Sequence, residues 1–229
     1  VMEPTRFDEP ESGFLEGVRK LCDQIQAVLV VDEITAGWRL HFGGAHLKYG
    51  LEPDISVFGK ALGNGHPISA VIGKSKFMEA AQSFFISSSY WTEGVGPTAA
   101  LATLKKLKSV DVPSRLASIS ERFRTGLDDL ANLQGLNINF YGHPAITVLS
   151  FEHPQASALQ TLFTVRMLEE GILVGSGFYA SLSHHEKHVD RFLEAADKVL
   201  PEVAQAVENG DVLKRIPNGV KHSGFSRLT

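Results

Sequence analysis

One cysteine, Cys22, is all the chain carries in 229 residues, so no disulfide can form within it and a reducing, cytoplasmic setting is expected. Positive charge is also scarce: 22 Lys and Arg against 26 Asp and Glu give a formal net charge of −4 and a pI near 6.1. That balance argues against nucleic acid or an anionic membrane as the main partner. No apolar run approaches the roughly 20 residues that a bilayer-spanning helix needs. The opening Val1-Met2-Glu3-Pro4 has neither the basic segment nor the apolar core of a secretory leader, and reads as the tail of a strand in something longer. No Gly-x-Ser-x-Gly elbow is present, which removes the commonest serine hydrolase signature. Gly59-Lys60-Ala61 lacks the glycine spacing and the following Ser/Thr of a phosphate-binding loop, leaving nucleotide binding a weak rival. His184, His185 and His188 could meet at helical spacing, but they are expected to be solvated and no metal site is expected.

What is present describes an ordinary globular protein, 43% hydrophobic and 21% charged, long enough for one large domain or two small ones. Phe14, Leu15, Val18, Leu21, Cys22 and Ile25 fall at helical spacing, which predicts an amphipathic helix over 13–26 with Cys22 as a packed thiol. The apolar run that follows predicts a strand over 27–32, buried on both faces, and helix followed by such a strand is the pattern of a parallel sheet. Strands are expected at 54–58 and 69–73 and helices from Pro97 to about Leu107 and from Pro113 to Leu133, the second with Leu116, Ile119, Phe123, Leu127 and Leu130 as its stripe. A boundary near Ser109-Val110-Asp111 separates a large domain, 1–109, from a smaller α+β domain, 110–229. The latter has strands around 136–141, 145–151 and 172–174 and helices around 155–170 and 185–208.

Two charged residues stand out. Asp32 ends the first apolar strand, and Lys60 follows the second one 28 positions further on, each succeeded by glycine-bearing turn sequence. The carboxyl ends of strands are where open α/β sheets hold ligand-binding groups. A carboxylate and an amine at such an edge suit pyridoxal phosphate, whose aldehyde needs a lysine for its Schiff base and whose pyridine nitrogen needs an acid to stay protonated. The apolar neighbours of Lys60 predict partial desolvation, which makes an amine a better nucleophile. Asp32 also has a reading as a plain turn cap. Glu33, pointing the opposite way on a continuing strand, reads as structural.

These residues sit in longer segments that resemble a known family. Asp32-Glu33-Ile34-Thr35-Ala36-Gly37-Trp38-Arg39, Phe42-Gly43-Gly44, Tyr49-Gly50-Leu51-Glu52-Pro53-Asp54-Ile55 and Gly59-Lys60-Ala61-Leu62-Gly63-Asn64-Gly65-His66-Pro67 are similar to the signature of class III aminotransferases. Within that class the glutamate-1-semialdehyde aminomutase branch is the most similar. The likeness is strong over 27–108 and continues more faintly to about residue 200. It implies the fold type I architecture, α/β with a mostly parallel sheet in the large domain, here in part, and a small α+β carboxy-terminal domain. It further implies pyridoxal 5′-phosphate as cofactor, Lys60 as the catalytic residue that attaches to it and moves the proton, and Asp32 paired with the ring nitrogen. Ile34 would pack on a ring face, Thr35 would stand where many members carry a glutamine near the phenolic oxygen, and Thr92 would bind the phosphate from the neighbouring subunit of a homodimer. A hydroxyl beside backbone N–H groups at a helix start suits that last task. Glu3-Pro4 matches a Glu-Pro that precedes a substrate-side loop.

The departures matter as much. The family's amino-terminal half, which supplies a Gly/Ser/Thr phosphate loop and an aromatic residue stacked on the ring, has no counterpart in these 229 residues. Tyr179 aligns where the aminomutase branch usually has a glutamate, which favours transfer of an amino group from an amino acid donor to a keto or aldehyde acceptor over an internal shift. An aminomutase is the runner-up. A truncated, noncatalytic dimerisation module is the rival of another class, opposed by the intact Asp32, Lys60 and Thr92. Arg39 is a candidate for the substrate carboxylate by position, with a structural ion pair as the alternative.

Overall fold

The computed structural model describes residues 1–5 and 8–222. Two compact units divide the chain, Val1–Leu116 and Ala117–Thr229. In the first, helix α1 (Phe14–Gln24) forms where its spacing predicts it. Leu15 is buried with Leu29, Val31 and Leu51, and Val18 and Cys22 pack on that cluster. Phe14, Leu21 and Ile25, on the same expected stripe, remain more than half exposed, so the helix is covered along one edge only.

Strand β1 (Val30–Asp32) is shorter than the run that predicts it and is covered on one face rather than two: Val31 is fully buried, while Val28 is 42% exposed. Met2 pairs with Val31 in parallel, donating its N–H to the Val30 carbonyl and accepting from the Asp32 N–H. The one-turn helix α2 (Ala45–Lys48) leads to β2 (Ile55–Phe58), which lies parallel to β1. Strand β3 (Ala70–Gly73) runs antiparallel to β2, so the sheet, in order β1-β2-β3, is mixed and not mostly parallel. Connection length decides this. A parallel return needs a crossover of about a dozen residues or more, commonly a helix. Between β2 and β3 there is only a 3-10 turn, Lys60–Leu62. Helix α3 (Ser75–Met78) and a further 3-10 turn follow, then α4 (Val95–Lys108), whose Ala100, Leu104 and Leu107 pack with Trp38, Phe58 and Leu62.

Helix α5 (Val112–Leu133) starts in the first unit and carries its apolar stripe, Ile119, Phe123 and Leu127, into the core of the second. There β4 (Ile138–Tyr141), β5 (Ile146–Phe151) and β6 (Gly177–Tyr179) form an antiparallel sheet in that order. Helix α6 (Ala156–Glu169) and α7 (Glu186–Glu208) complete the unit around a cluster of Phe123, Phe151, Phe163, Phe178 and Phe192. The strand expected at 172–174 is not formed. Gly171, at φ 80°, and Ile172 turn back to donate to the carbonyls of Leu168 and Met167, so these residues close α6 instead of starting a strand. The chain rejoins the sheet only where Ser176 accepts from Leu149. Among the described residues no helix is long and apolar enough to cross a membrane.

Candidate active site

The parallel register Val30↔Ile55, Val31↔Ser56, Asp32↔Val57 brings β1 and β2 to an end at the same edge. Beyond it the Glu33 N–H donates to Val57 O at 2.8 Å, the last bond tying the two strands. The chain then turns sharply. Asp32 Oδ1 accepts from the Ile34 N–H at 2.9 Å, and Gly37 donates to the Glu33 carbonyl at 2.8 Å. A Cβ on Gly37 would lie 2.7 Å from that carbonyl oxygen, so the turn requires glycine there. Asp32 Oδ2 has no partner among the described residues.

On β2 the chain passes Gly59 and reaches Lys60, whose φ of 42° is in the left-handed region. For a residue with a side chain this costs on the order of 1–3 kcal/mol, and such strain concentrates at functional sites. Lys60 Nζ donates to Thr35 Oγ1 at 2.8 Å, bridging the turns that follow β1 and β2. Lys60 is exposed, contrary to the desolvation its neighbours suggest. The apolar residues beside it, Leu62 and Phe58, turn inward onto Trp38 and Ala100 and leave the amine on the rim. Ile34 lies alongside: its Cγ2 is 3.5 Å from where a Cβ on Gly59 would be.

Glu33 points away from this edge, as strand alternation predicts, and is fully buried. Its carboxylate accepts from the N–H groups of Ala45 and His46, each at 2.8 Å, and contacts His46 Nδ1 at 2.8 Å, closing the loop that carries Ile34 and Thr35. Arg39 donates Nε to the Thr35 carbonyl at 3.0 Å, so it braces the same turn. The nearby Asp54 carboxylate is buried. It receives the Leu29 N–H at 2.9 Å and Arg19 at 3.0 Å.

Thr92 is exposed, just ahead of α4, and no contact among the described residues joins it to Asp32 or Lys60. The first N–H groups of that helix are already engaged. The Glu93 carboxylate accepts from Gly96 at 3.0 Å and from Val95, and these bonds hold it below the usual carboxylate range. Sequence reasoning missed this cap, although an acidic residue just before a helix was the available signal. Of the three histidines, His184 is not solvated: it sits half-buried against Phe178, accepts from the Ser181 N–H, and is pushed below its ordinary pKa by burial and then by His188. No cluster of three or more metal-binding side chains occurs among the described residues.

A family profile, aminotransferase class-III, matches residues 7–200. The chain belongs to that family. It is 30% identical over 200 residues to a 3-aminobutyryl-CoA aminotransferase of Cloacimonas acidaminovorans (strain Evry), covering 85% of this chain and 48% of that protein. It is 30% identical over 192 residues to an aminopentol aminotransferase of Sphingopyxis macrogoltabida, covering 83% and 46%. Among solved structures, the internal aldimine form of the Sphingopyxis sp. MTA144 FumI protein superposes with a TM-score of 0.85 at 27% identity, over 91% of this chain and 52% of that one. An omega-transaminase from Sphaerobacter thermophilus, at 21% identity and a TM-score of 0.77, shares the fold. This class-III chain thus spans about half the length of the curated relatives it matches, and its architecture is part of the fold type I aminotransferase fold.

The family depends on pyridoxal phosphate, and the residues present fit the ring end of that cofactor. Asp32 offers an unengaged carboxylate oxygen, and Ile34 gives an apolar surface beside Gly59. Lys60 supplies an accessible amine at the same edge. The N–H groups at the start of α4, next to Thr92, are taken by the Glu93 carboxylate.

Proposed function

We propose that this chain is the carboxy-terminal part of a pyridoxal phosphate-dependent aminotransferase, moving an amino group from an amino acid donor to a keto or aldehyde acceptor. The observation that carries this reading is the parallel β1–β2 register, which ends with the Asp32 carboxylate and the Lys60 amine at one sheet edge. When bound, the cofactor supplies a protonated pyridine ring that takes up the electron pair left on the substrate carbon.

The chain's own residues do the rest. Lys60 Nζ is the nucleophile that would hold the cofactor aldehyde and, once free, the base that takes and returns the substrate proton. Asp32, next to the ring nitrogen, would keep that nitrogen protonated. Ile34 would cover one ring face and exclude water there, and Thr35 would stand beside the phenolic oxygen. Thr92 would reach the phosphate from a second copy of the chain in a homodimer. The resemblance of Asp32–Arg39 and of Gly59–Pro67 favours the glutamate-1-semialdehyde aminomutase-like branch of the class. Tyr179 in place of that branch's glutamate favours amino transfer between two substrates, as do the names of the aminobutyryl-CoA and aminopentol relatives.

Borohydride reduction of the purified protein followed by peptide mass spectrometry tests the reading. A phosphopyridoxyl group on Lys60 is expected. An unmodified Lys60 after incubation with excess pyridoxal phosphate would overturn it for this chain.

A further inference from the structure

We infer that Thr35 is a positioning residue for Lys60: its hydroxyl is the resting place of the free amine and aims it along the sheet edge toward Asp32. The inference rests on the cofactor reading above and adds to it a role for the side chain that replaces the common glutamine. The geometry is specific. Lys60 is exposed and flexible by chemistry, yet its Nζ is held at 2.8 Å by a residue 25 positions earlier in the chain. Among the described residues that hydroxyl is the one hydrogen-bond partner Nζ has.

Thr35 is itself held on both sides. Its carbonyl accepts from Arg39 Nε at 3.0 Å, and the preceding residue's N–H is bound by Asp32 Oδ1 at 2.9 Å. The acceptor for the amine and the carboxylate at the strand end therefore belong to one short rigid turn. Lys60 has a left-handed backbone, φ 42°, and its side chain reaches across to that turn. An unheld lysine on this rim has many rotamers that point into water, and fixing one of them in advance removes that entropy from the encounter with a bulky aldehyde.

The test separates orientation from general damage. Attachment of pyridoxal phosphate to Lys60 is trapped by borohydride over time in the wild-type chain, Thr35→Val and Thr35→Ser, and reductive methylation of the same lysine by formaldehyde is followed in parallel. Formaldehyde is small enough to reach the amine in any rotamer. Thr35→Val is expected to slow pyridoxal phosphate attachment about threefold to tenfold with no slowing of methylation, and Thr35→Ser to restore the wild-type rate. Equal attachment rates in wild type and Thr35→Val would overturn the inference while leaving the cofactor reading in place. Parallel slowing of both reactions, or no rescue by serine, would also overturn it, since loss of the turn's structure would then account for the effect. No attachment in any of the three chains would instead remove the cofactor reading, and this inference with it.

Discussion

The Asp32 carboxylate binds the Ile34 N–H through Oδ1 at 2.9 Å and leaves Oδ2 unengaged among the described residues. One oxygen thus shapes the turn while the other carries no hydrogen bond there, so the cap reading and the proposed cofactor-binding role are compatible in one side chain. Asparagine can keep the first task, because its carbonyl oxygen still accepts from Ile34, but it has no charge to keep a ring nitrogen protonated. Asp32→Asn in the whole enzyme is therefore expected to melt as wild type does, within about 0.5 kcal/mol. Its kcat is expected to fall by about 10²–10⁴. Steady-state kinetics beside a thermal melt checks this, and near-normal turnover would mean Asp32 serves the turn alone.

Gly63 closes the 3-10 turn that begins at Lys60, and a Cβ there would lie 2.0 Å from the His66 carbonyl oxygen. Backbone atoms cannot swing aside as a flexible side chain can. Gly63→Ala is expected to destabilise the first unit by about 1–3 kcal/mol and to slow cofactor trapping at Lys60. Urea unfolding and the trapping rate together measure both effects.

Asp54 anchors the start of the sheet from below. Burial alone would raise its pKa, but the Leu29 N–H and then the Arg19 guanidinium outweigh it, so the group titrates below its ordinary value. A carboxyl with a depressed folded pKa stabilises above its unfolded pKa of about 3.9, and loses that contribution as pH falls through the folded value. Asp54→Ala, which leaves Arg19 and the Leu29 N–H without this partner, is expected to cost about 2–4 kcal/mol at pH 7. The gap in urea midpoint between wild type and variant should hold from pH 7 to about 5 and narrow once the pH drops below the ordinary carboxylate range. A gap independent of pH would mean that packing, not charge, sets the cost.

How much of this was legible beforehand depended on the range of the signal. The stripe Leu116, Ile119, Phe123, Leu127 and Leu130 rests on local spacing, and its first four members are buried as that spacing predicts, with Leu130 only partly covered. The direction of β3 was missed because it depends on the shortness of the Gly59–Ser69 link, not on any property of the strand itself. The strand expected at 172–174 failed because Gly171 and Ile172 were needed to end α6, a competition that hydrophobic pattern does not record. The exposure of Lys60 was misread for a similar reason. Apolar sequence neighbours show that a segment packs, and not which way the one polar side chain among them turns.

Thr92 lies in a segment whose apolar side chains face outward: Phe84 is 69% exposed, Phe85 95%, Ile86 57%, Tyr90 78%, Trp91 68% and Val95 57%. Large aromatic side chains carry about 150–250 Å² each, so the four aromatic residues here, with Ile86 and Val95, together approach the roughly 800 Å² that each partner buries in a standard interface. A patch of this size is rarely left in water on a monomer. A second copy of the chain as its cover would place two Thr92 side chains inside the interface, where each could serve the other copy's site. Phe85→Ser and Trp91→Ala are then each expected to raise the dimer dissociation constant about tenfold to a hundredfold, read by sedimentation at micromolar concentration. Both variants should also lose phosphate-dependent affinity for the cofactor while Lys60 still reacts with formaldehyde. A wild-type chain that sediments as a monomer, or variants that remain as dimeric as wild type, would assign this aromatic face to some other partner and leave Thr92 without a route to the cofactor.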